Sequence, residues 1–136
     1  MMFLVKSVQT LLFLVLFVCT HHVNAGSSEE EMKIMNKCIE EADVKMEDVK
    51  TFRSDQITDN MLCFMKCRYE SEGAFDENGV LVKEMMQESY DDFGWTDEQR
   101  SQSDGCLDKM KPVKECEDLK EFYKCIPVIN FGELFE

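Results

Sequence analysis

The sequence predicts an all-α, single-domain protein of six helices stapled by three disulfides, and three observations predict it. Apolar residues recur at helical spacing through most of the chain, S-x-x-E and T-x-x-Q capping boxes mark two helix starts, and six cysteines follow an apolar leader. Only two prolines, Pro112 and Pro127, interrupt the pattern, with no internal repeat and no low-complexity linker.

The leader comes first. Leu11 to Val18 (LLFLVLFV) is uncharged and follows Lys6, and Val23-Asn24-Ala25 offers small residues at the spacing a signal peptidase accepts. Residues 1–25 therefore read as a secretory signal peptide, with residues 26–136 as the mature domain. A signal-anchor helix is the alternative, but the apolar core is shorter than the ~20 residues that cross a bilayer. The remaining 111 residues carry 14 basic and 28 acidic side chains, a charge of −14 against −13 for the whole chain. Both histidines, His21 and His22, leave with the leader.

Each helix has its own signal. Ser28-Glu29-Glu30-Glu31 is a capping box, and Met32, Met35, Ile39 and Ala42 follow at helical intervals, so a first helix runs from Glu29 to about Asp43. A second covers Met46 to about Arg53, with Val49 and Phe52 turned inward. Thr58 is the N-cap of a third, Asp59 to Ser71, whose Met61, Leu62, Met65 and Tyr69 form an apolar stripe that Gly73 ends. Asp76-Glu77-Asn78-Gly79 is a turn, and a fourth helix follows from Val80 to Tyr90. After the break at Asp92-Phe93-Gly94, the box Thr96-Asp97-Glu98-Gln99 opens a fifth toward Lys111, which Pro112 ends. A sixth runs from about Val113 to Ile126 and carries Leu119, Phe122 and Tyr123. The eleven residues after Cys125 lack room for another amphipathic helix, yet Ile126, Val128, Ile129, Phe131, Leu134 and Phe135 make them apolar. Such a tail is expected to pack on the body or enter a cavity.

Composition excludes several functions. Triad hydrolases and most general-base enzymes use an imidazole, and the mature chain has none. A paired-carboxylate hydrolase stays chemically open, although abundant acids usually form a solvated surface. The charge repels phosphate backbones and anionic headgroups, so neither nucleic acid nor membrane insertion is expected. Cys38, Cys63, Cys67, Cys106, Cys116 and Cys125 contain no C-x-x-C pair and have no histidine to complete a mixed site, so disulfides are expected rather than zinc. Cys63 and Cys67, about 40° apart on a helical wheel, can fasten two neighbours to one face, while Cys116 and Cys125 fall on opposite faces. Fifteen pairings of six cysteines remain open on spacing alone.

The intervals between successive cysteines, 24, 3, 38, 9 and 8 residues, resemble the six-cysteine signature of the insect odorant-binding proteins, above all in the three- and eight-residue gaps. The resemblance covers residues 38–125, most of the mature chain. It implies the interlocked pairing Cys38–Cys67, Cys63–Cys116 and Cys106–Cys125, in a six-helix fold around an apolar cavity. It also implies a secreted carrier of small hydrophobic organic ligands that performs no chemistry, uses no cofactor or metal, acts as a monomer or weak homodimer, and hands its ligand to a chemosensory receptor. A salivary or venom factor on the same scaffold, or an amine-sequestering protein, is the alternative.

Eight methionines are many for 111 residues, and their side chains adapt to irregular apolar ligands as readily as they fill a core. The expected pocket lining is Phe52, Leu62, Met65, Met85, Met86, Tyr90, Met110, Phe122, Tyr123 and Phe131. The hydroxyls of Tyr90 and Tyr123 are placed to meet a ligand oxygen, or else to bond to backbone. Trp95 is either a hydrophobic staple to the fifth helix or a pocket wall. No N-x-S/T sequon occurs.

Overall fold

In the computed structural model, residues 29–134 are described, and they fall in two units, Met1–Asn36 and Lys37–Glu136. The signal-peptide expectation lies outside the described residues. Residues 29–42 are helical (α1). Within the first unit Met32 is half exposed, so the inward stripe of this helix does not extend to it. In the second unit α1 buries Cys38 and Ala42. It stops where Asp43 takes a left-handed φ of 54°, a conformation Asp tolerates better than most residues, and Val44 N donates to Ile39 O.

The remaining helices are α2 (Met46–Lys50), α3 (Asp59–Ser71), α4 (Lys83–Glu88), α5 (Asp97–Asp108), α6 (Lys120–Cys125) and α7 (Phe131–Leu134). Tight 3-10 turns occupy Ser54–Gln56 and Cys116–Leu119. Among the described residues there is no strand, only isolated bridges at Arg53–Asn130 and Phe75–Leu81. The fold is all-α.

Helix α3 has the bounds its caps dictate. Thr58 Oγ1 accepts from Met61 N at 3.2 Å, and Gly73 follows at a φ of 69°. Its inward face buries Met61, Leu62, Phe64, Met65 and Tyr69. At α5 the capping box is complete: Thr96 N donates to Gln99 Oε1 at 2.9 Å and Gln99 N to Thr96 Oγ1 at 3.2 Å.

Four helices are shorter than their periodicity suggests, because hydrogen bonds outside the helical ladder claim their ends. α2 stops at Lys50 rather than Arg53: Ser54 N donates to Ile129 O and Phe131 N to Phe52 O, and between them Arg53 is extended and bridges to Asn130 on the tail. α4 begins at Lys83 rather than Val80, since Asp76 N donates to Val80 O and Val82 N to Ala74 O across the Asp76–Gly79 turn. α5 ends at Asp108 rather than Lys111. Pro112 disfavours a helical Lys111, and Val113 N donates instead to Gly79 O at 2.8 Å. The expected sixth helix is divided. Asp118 accepts from Lys114 N at 2.9 Å and Glu115 N at 2.8 Å and holds both outside the helix, so Cys116 sits on a 3-10 turn and not on a continuous wheel with Cys125.

Three disulfides join the elements: Cys38–Cys67 ties α1 to α3, Cys63–Cys116 ties α3 to the second 3-10 turn, and Cys106–Cys125 ties α5 to α6. Cys63 and Cys67 thus fasten two different neighbours to α3, in the interlocked pattern. Leu62 and Leu119 are wholly enclosed, and Phe64 nearly so, which places the core between α3 and the Cys116–Leu119 turn.

Candidate ligand-binding site

The tail packs back on the body of the domain. Ile126 and Ile129 are buried, Phe131 is half-buried and Val128 is exposed. Ile129 N donates to the buried Ser54 Oγ at 2.8 Å, so the tail is fastened by side chain as well as backbone. That attachment brings Phe131 onto Phe52, ring centroids 5.1 Å apart. Phe52 meets Tyr123 edge-on at 6.3 Å, and Tyr123 meets Phe122 at 5.4 Å. Phe52, Phe122, Tyr123 and Phe131 are therefore one aromatic cluster, drawn from the α2 end, α6 and α7.

The other six expected lining residues lie elsewhere. Leu62 and Met65 are buried on α3 and Met86 on α4, with Met85 half-buried beside it. Met110, half-buried, shares with Phe122 a cleft of ≈ 440 Å³ that Pro112 and Glu121 also border. Phe52 and Met61 line a second cleft, of ≈ 300 Å³, with Thr58 and Asn60. No described cleft takes in more than two of the ten expected residues.

Tyr90 is fully engaged by protein groups. Its hydroxyl lies 2.8 Å from the buried Ser103 Oγ and donates to Asp104 Oδ1 at 2.9 Å, and burial pushes its pKa up to about 12. Its ring meets Trp95 at a tilt, centroids 5.1 Å apart, and Phe93 also meets Trp95 at a tilt, at 5.0 Å. Trp95 does not form a hydrophobic staple, because the position it would meet is Arg100. The Arg100 Nε instead donates to Trp95 O at 3.0 Å, while its guanidinium pairs with Asp91 at 2.8 Å. Trp95 lines a third cleft, of ≈ 280 Å³, with Phe93, Asp91, Asp92, Val128, Ile129, Asn130 and Glu133.

Tyr123 has an unexpected partner. Its hydroxyl oxygen lies 2.5 Å from that of Tyr69, a residue whose sequence context marks it only as part of the α3 stripe. Burial pushes Tyr69 up to about 12 and Tyr123 well above its ordinary value. No signal local to either residue gives this contact, since they are 54 positions apart.

Among the described residues no group of His, Cys, Asp or Glu is arranged to hold a metal ion, and no helix is long and apolar enough to cross a membrane. Residues 20–127 match the family model described as the PBP/GOBP family. No curated protein and no solved structure matches the chain.

Proposed function

The chain belongs to the PBP/GOBP family of insect odorant- and pheromone-binding proteins, and from that premise we propose that it is a secreted carrier. In this reading it takes up small hydrophobic semiochemicals and moves them through extracellular fluid unaltered. The observation that carries the reading is that the matched span, residues 20–127, contains all six cysteines of the interlocked bridges. Bridges between helices restrict the unfolded chain, so the interior need not be packed solid for the domain to stay folded. The tail folded onto Phe52 supports a carrier over a protein that offers an apolar tail to a partner.

Burying a neutral ligand of about ten carbons contributes on the order of 8 kcal/mol, opposed by the cost of association, so micromolar affinity is expected. N-phenyl-1-naphthylamine should fluoresce on binding to the oxidised protein and be displaced by medium-chain organics. Failure of every apolar probe to bind folded protein would overturn the carrier reading.

One observation favours the amine-sequestering alternative. The cleft at Trp95 is lined by Phe93 and Trp95 together with Asp92 and Glu133, a combination of aromatic and acidic side chains that suits an organic cation. Displacement of the probe by a protonated arylalkylamine, with no displacement by neutral organics, would decide for that reading.

A further inference from the structure

Among the described residues, two buried tyrosine hydroxyls leave a hydrogen bond unmade. Tyr69 on α3 and Tyr123 on α6 are both buried, and both phenols are neutral at physiological pH, so each oxygen carries one hydrogen. Only one of those two hydrogens can lie between oxygens 2.5 Å apart. The accepting tyrosine therefore keeps a free O–H, and no other described group hydrogen-bonds to either hydroxyl. Its surroundings are aromatic: Phe75 lies edge-on to Tyr69 at 5.9 Å, and Phe52 and Phe122 lie against Tyr123. Tyr90 shows the contrast, with both Ser103 and Asp104 within reach of its hydroxyl. A buried donor without an acceptor is unfavourable, and a bound acceptor would relieve it. The two rings against Tyr123 each border a cleft, Phe52 the one of ≈ 300 Å³ and Phe122 the one of ≈ 440 Å³.

We propose that the Tyr69–Tyr123 pair is the polar subsite of the ligand site, and that it favours neutral oxygen-bearing ligands by donating its remaining hydrogen to the ligand oxygen. This rests on the carrier reading. Ketones, aldehydes, esters and ethers can accept that bond. An alcohol can accept it and also donate to a lone pair of the pair. A carboxylate ligand is disfavoured, because it would be desolvated within a domain that already carries strong negative charge. A site that offers a hydrogen bond discriminates more sharply than an apolar wall can.

The test compares decane with 2-nonanone, which have equal numbers of heavy atoms, by displacement of N-phenyl-1-naphthylamine from the oxidised protein. Single Phe variants leave one hydroxyl free to take over, so the informative variant is Tyr69→Phe/Tyr123→Phe. The ketone-to-alkane affinity ratio should fall about tenfold in that variant, the worth of one neutral hydrogen bond. An unchanged ratio overturns the subsite alone. Failure of the wild-type protein to bind either the probe or decane overturns the carrier reading, and the subsite with it. Should the double variant not fold, the infrared carbonyl stretch of 2-nonanone bound to wild-type protein decides. A shift to lower frequency than in hexane supports the bond, and a hexane-like position overturns it.

Discussion

Leu62 has no exposed surface and sits on the α3 face that meets the Cys116–Leu119 turn. Leu62→Ala is therefore expected to destabilise the oxidised protein by about 2–5 kcal/mol, read from the urea midpoint. Asp118 works through its backbone partners. The amides of Glu115 and Lys114 hold its carboxyl below the usual carboxylate range. A group depressed in the folded state stabilises above its unfolded value, near pH 4, and loses that effect as pH falls through the folded value. Asp118→Asn should thus lower the urea midpoint at pH 7, and the gap to wild type should narrow by pH 3. Single residues were legible in the sequence where their partners are local. Thr58 and Thr96 sit within three positions of the amides they cap, whereas the Tyr69 hydroxyl finds its partner on another helix.

At the scale of elements the same division holds. α3 and the start of α5 follow their caps, but the ends of α2, α4 and α5 yield to pairings such as Val113 N to Gly79 O, which no helical period encodes. Gly79 is needed at that crossing: its φ is 79°, and a Cβ there would come within 3.3 Å of Val113 O. Gly79→Ala should cost about 1–2 kcal/mol, measured by thermal or urea unfolding. The bridges differ in the loops they close, with separations of 53 residues for Cys63–Cys116, 29 for Cys38–Cys67 and 19 for Cys106–Cys125. Loop entropy then ranks paired Cys→Ser removal at about 4 kcal/mol for the first and about 3 kcal/mol for the last. Urea midpoints that reverse that order would show that native-state packing outweighs loop entropy.

The whole molecule is governed by its acids. No histidine follows residue 22, so ligand affinity should stay level between pH 6 and 8 and change only where carboxylates titrate, below about pH 5. A displacement titration with a midpoint between 6 and 7 would require a carboxyl raised into that range. The overlap of the three bridges reaches beyond folding stability. The spans 38–67, 63–116 and 106–125 run into one another without a gap, so every peptide bond from Cys38 to Cys125 lies inside at least one closed loop. A protease that nicks the backbone once in this interval severs the chain but not the molecule. The two pieces stay covalently joined until a reductant reaches them, so a singly nicked molecule keeps all of its chain together.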